Sequence, residues 1–132
     1  MIEMVARMIA AILGLIKKGE LKAAEDRLDD IYYNVLREDA GFFRNIPEDK
    51  LTITLLEQHD YTNGHLEILA ELFNVEAELC LAKGNKPGSL EYSKKSLKLF
   101  DYIEEKQKTY SFDRINKINS IRVRIENLNE KS

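Results

Sequence analysis

The amino-acid sequence predicts an all-α domain of five or six antiparallel helices, and three observations carry that expectation. Apolar residues recur at three- and four-residue steps over long stretches, as in Ile118, Ile121, Ile125 and Leu128. The chain has only two Pro and six Gly among abundant Leu, Glu, Lys and Ala, which leaves little material for an all-β fold. The stretch Leu69 to Phe100, LAELFNVEAELCLAKGNKPGSLEYSKKSLKLF, reads as a helical hairpin: one helix ends at Gly84 and another opens near Ser89. At 132 residues the chain fits a single domain, 1–132, with one packed core.

The first helix is expected from Ile2 to about Lys18, where Lys17 and Lys18 suit the negative end of the helix dipole and Gly19 stops it. Met4, Val5, Met8, Ile9, Ile12, Leu13, Leu15 and Ile16 cover more than one of its faces, which predicts an inner helix buried on two sides. The apolar run Met8 to Ile16 is too short to span a bilayer, and no basic start precedes it as a signal peptide requires. No membrane association is expected.

A second helix, about Glu20 to Glu38, places Leu21, Ala24, Leu28, Ile31, Tyr32 and Val35 on one side and Glu25, Asp26, Asp29 and Asp30 on the other. Asp39 to Ile46 is the least helical stretch. Its Phe42 and Phe43 have two readings, a plug at the end of the helix pair or an exposed anchor for a partner. The plug is favoured, because bare aromatics in water invite aggregation.

Pro47, Glu48 and Asp49 open a short helix over residues 47 to 57, since Pro fits a first turn and carboxylates favour its positive end. Asp60 or Thr62 can cap the long helix that runs to Lys83. The fifth helix, about Gly88 to Lys106, has an expected inner stripe of Leu90, Leu97, Phe100 and Ile103, with Lys94, Lys95 and Lys98 pointing outward. The sixth starts at Ser111, a capping residue, with Tyr110 placed to pack on Ile115.

The hairpin has a family likeness. Phe73, Ala77, Gly84, Ser89 and Ser96 fall in the register of the tetratricopeptide repeat, a helix-turn-helix unit of roughly 34 residues, and a second echo appears in Gly19, Leu21, Ala24 and Leu28. The chain therefore resembles a degenerate tetratricopeptide-like domain over about half its length; it departs from the pattern at Glu76, Cys80 and Ser93. Chains of this size and pattern also resemble uncharacterised bacterial helical domains. What the resemblance implies is a protein-interaction module that presents a groove to a protein or peptide partner. The asparagine-and-lysine clamp of some peptide-binding members has no counterpart here, so no binding residue is carried over.

Net charge is −3 but unevenly shared: residues 1 to 82 carry 8 basic and 16 acidic side chains, and residues 83 to 132 carry 12 basic and 7 acidic. Two halves that attract each other, within the fold or across a homodimer, explain this better than nucleic-acid binding, because no aromatics interleave with the basic residues. Nucleic acid remains the alternative partner, through Arg114, Lys117, Arg122 and Arg124. Homodimerisation is also expected from Ile121, Val123 and Ile125, which offer apolar groups on more than one side of the last helix.

Catalytic chemistry finds little support. His59, His65 and Cys80 are too far apart along the chain to share a metal, and Glu67, Glu71, Glu76 and Glu78 lack the Glu-x-x-His partners of helical di-metal sites. Cys80 reads as an inner-face filler and the two His as capping or surface groups. No catalytic, cofactor or metal residue is assigned, and no enzyme is expected. A single Cys excludes an internal disulfide and fits a reducing cytoplasm.

Overall fold

A computed structural model describes residues 2–107 and 111–130, and every regular element among them is helical. The long helices are α1 (Ile2–Lys17), α2 (Leu21–Leu36), α4 (Asn63–Ala82), α5 (Lys86–Lys106) and α6 (Phe112–Glu130), with a short α3 (Ala40–Arg44) between α2 and α4. A 3-10 turn over Glu48–Lys50 and a wide π-type turn over Ile53–Gln58 complete that connection.

The two corners that the sequence marked with glycine share one geometry. Gly19 and Gly84 take left-handed backbone, φ 79° and 80°. After α1, the Gly19 N–H donates to the Ile16 carbonyl at 3.0 Å and the Glu20 N–H to the Leu15 carbonyl at 2.9 Å. After α4, Gly84 donates to Leu81 at 3.0 Å and Asn85 to Cys80 at 2.8 Å. Both are the paired bonds of a Schellman stop, which satisfy carbonyls that a helix end otherwise leaves open. Five residues beyond each glycine stands a fully buried small side chain, Ala24 or Ser89.

Helix α4 is the central rod, with Leu66, Leu69, Ala70, Leu72, Phe73 and Ala77 shut off from solvent. Helix α5 runs back along it. The ring of Tyr92 lies 5.8 Å from that of Phe73, and Ser96 Oγ donates to the Ala70 carbonyl at 2.6 Å. Contact is so close at the corner that a Cβ on Gly88 would lie 2.5 Å from Asn85 Nδ2, whose side-chain oxygen caps the helix by accepting from the Gly88 N–H.

The buried face of α5 differs from the expected stripe. Ser89, Ser93, Ser96, Leu99, Phe100 and Ile103 are buried, whereas Leu90 and Leu97 are only half-buried. Small serines allow α5 to lie closer to α4 than leucines would, so packing turned the helix away from its apolar pattern. Lys95, expected to point outward, is 2% exposed.

Helix α1 also departs from expectation. Val5 and Ile12 are its core contacts, Met4 is 54% exposed, and its other large apolar side chains from Met8 to Ile16 are half-buried, so it flanks α2 and α4 instead of lying inside. Helix α2 stops at Leu36, two residues early, because Arg37 takes φ 65° and its N–H bonds back to the Tyr33 carbonyl. The stretch read as least helical contains α3. Phe43 is fully buried and Phe42 partly so, which favours the plug. The helix expected over 47 to 57 is present only as 3-10 and π-type turns, anchored by the fully buried Leu51 and Leu55.

Both proposed caps form. Thr62 accepts from the His65 N–H while His65 Nδ1 accepts from the Thr62 N–H at 3.1 Å, a reciprocal capping box. Ser111 Oγ accepts from the Arg114 N–H at 3.2 Å. The Tyr110 contact lies outside the described residues.

Candidate functional site

The strongest concentration of polar chemistry lies where α2, α3, α4 and α5 meet. Tyr32, fully buried on α2, donates to Glu76 Oε2 of α4 at 3.0 Å. Arg44, the last residue of α3, donates through Nε to the same Glu76 oxygen at 2.5 Å and through Nη2 to Asp29 Oδ1 at 2.7 Å, and its guanidinium lies 5.5 Å from the Tyr32 ring centre. From α5, Lys95 donates to the Arg44 main-chain carbonyl at 3.1 Å and sits 5.8 Å and 5.6 Å from the ring centres of Phe73 and Tyr92. Four elements thus converge on one arginine.

Burial dominates the electrostatics of this cluster. It raises the Glu76 carboxyl above the usual range, with Arg44 and then Tyr32 holding it back, and it raises the Tyr32 phenol well above its ordinary value. Arg44 is held charged: burial opposes the charge, and the bonds to Glu76 and Asp29 more than offset it. Such a cluster is costly to bury and costly to break, because each charge left alone would face a low-dielectric interior.

A second set of charges forms a ladder between α4 and α6. Arg114 donates to Glu67 at 3.1 Å and to Glu104 of α5; Lys117 bonds Glu71; Arg124 donates to Glu78 at 2.6 Å, to Asn74 at 2.5 Å and to Ser93 at 2.8 Å. Arg122 reaches Asp101 at 3.3 Å. The four cations singled out from the sequence therefore all meet carboxylates of the same chain. The opposed charge of the two halves is spent within the fold.

The residues weighed for metal or nucleophile chemistry stay apart. His65 serves the cap of α4, and His59 Nε2 lies 3.5 Å from Glu38 while its ring packs 4.8 Å from that of Phe42. Cys80 is half-buried at the α4 corner, where burial raises its thiol pKa. Among the described residues no three His, Cys, Asp or Glu groups converge to hold a metal, and no helix is long and apolar enough to cross a membrane.

The surface carries an open groove of about 430 Å³ between α5 and the 48–52 turn. Leu97 and Tyr102 give it apolar ground, and Lys94, Lys98, Asp101 and Glu105 give it a rim of both signs. Comparison with protein-family models, with curated proteins and with solved structures yields no match to this chain.

Sequence reading assigned no site residue and so missed Arg44, Glu76 and Lys95. One signal was present at Glu76, a carboxylate flanked by Val75 and Ala77 where the repeat pattern has leucine. Lys95 had none, since it stands in a run with Lys94 and Lys98 that reads as solvated surface.

Proposed function

We propose that this chain is a non-enzymatic protein-contact module of tetratricopeptide-like type, which docks a protein or peptide partner in the groove along α5. The groove's anatomy carries the reading: apolar side chains at the centre with a mixed-charge rim are the make-up of protein interfaces, where the centre supplies affinity and the rim orientation. The matching glycine corners with small residues five places on support the repeat analogy. In this reading the protein works in a bacterial cytoplasm. Nucleic-acid binding through α6 is the weaker reading, because a phosphate would have to compete with Glu67, Glu71, Asp101 and Glu78 for the basic groups.

The test compares tagged wild-type chain with Leu97→Asp in capture from native cells. Wild type is expected to retain a protein that the variant loses at unchanged helical circular dichroism. Identical capture by both, or none by either, removes the reading. A second copy of the chain is one partner it admits, and sedimentation showing only a 15 kDa species at high micromolar concentration would exclude that form.

A further inference from the structure

The buried cluster resembles a peptide-recognition site more than core filling, and it differs from the α5 groove in location and chemistry. Its fixed half comes from three long helices: Asp29 and Tyr32 of α2, Glu76 of α4 and Lys95 of α5. Glu76 is 4% exposed, Lys95 2% and Tyr32 0%, and Tyr32 already holds Glu76 by a hydrogen bond. The other half is two consecutive residues of a five-residue helix. Phe43 stacks on Tyr32 at 5.5 Å, while Arg44 gives its side chain to two carboxylates and its main-chain carbonyl to a buried ammonium.

A space that only needed filling would be filled by apolar side chains at lower cost, since paired charges in an interior seldom outdo a hydrophobic replacement. Charges of both signs aimed at one side chain and one carbonyl give selectivity for a backbone bearing an aromatic followed by arginine. The segment that supplies this sequence is set apart from the helices around it. Its connection is bounded by Arg37 and Asp60, the two non-glycine residues with positive φ among the described residues, at 65° and 60°, and contains the 3-10 and π-type turns. Each left-handed non-glycine residue is strained, and strain at both ends favours release of what lies between.

We propose that α3 occupies in cis a site for an aromatic-arginine sequence, and that a partner protein displaying such a sequence displaces it. In the resting chain Phe43 and Arg44 act as an internal stand-in that keeps the site closed. The inference does not depend on the α5 groove.

The probe is a labelled peptide of residues 39–46, DAGFFRNI, offered to the full chain carrying F43A and R44A and checked for native helicity. Binding at least tenfold tighter than to wild type is expected, with at least a tenfold loss when the peptide's arginine is replaced by citrulline. No binding, equal binding to wild type, or indifference to citrulline would overturn the proposal. If the double variant does not fold, hydrogen exchange on the wild-type chain decides: residues 40–58 must open as a unit before global unfolding. Exchange of that segment only on global unfolding overturns it.

Discussion

Two sets of ion pairs hold this molecule together, and they differ in how much water they see. Around Arg44 the partners come from four elements and meet at one buried point, with Glu76 only 6% exposed in its side chain. Between α4 and α6 the partners are spaced along two helices, with Lys117 34% and Glu78 41% exposed. Charges that converge in the interior depend on one another, because removing one strands the rest without solvent to replace it. Charges arranged in a row can be lost one at a time, and water or a neighbouring rung takes up part of the loss.

That contrast breaks most visibly at Arg44. Arg44→Ala leaves Glu76 buried against Tyr32 without its cation and is expected to cost roughly 3–5 kcal/mol, read as a large fall in the urea midpoint. Arg124→Ala comes next at roughly 1–3 kcal/mol, because this guanidinium is 12% exposed and bonds Ser93, Glu78 and Asn74 together. A loss at Arg124 as large as that at Arg44 would show that the row is as interdependent as the cluster.

The fold was legible where local chemistry decides structure. Gly19 and Gly84 marked their corners, Thr62 and Ser111 their caps, and the three- and four-residue spacing gave helices throughout. It was less legible where packing between distant segments decides. Ser89, Ser93 and Ser96 look like solvated residues in a sequence, and only the close approach of α4 makes them the buried face of α5. Lys95 shares the problem: its burial depends on the carbonyl of Arg44, 51 residues away, which no helical period encodes. The width of α1's apolar surface misled for the reverse reason, since a helix can be apolar on several sides yet lie at the edge of the body.

The smallest expected effect sharpens the contrast through pH. Burial raises the Glu71 carboxyl above its ordinary value near 4.5, against the pull of Lys117, whereas Lys83 lowers the exposed Glu25 below it. A carboxyl that binds its proton more tightly when folded adds stability once protonated and loses it as pH rises from 4.5 through its raised folded value. One that binds its proton less tightly when folded does the opposite: its stabilisation is full above 4.5 and vanishes as pH falls through the lowered value. The advantage of wild type over Glu71→Gln should therefore be greater at acid pH than at pH 7. Its advantage over Glu25→Gln should be greater at pH 7, and within about 1 kcal/mol there because the pair is at the surface. Urea midpoints at the two pH values measure both, and parallel trends for the two variants would mean that the ladder carboxylate is hydrated like the surface one.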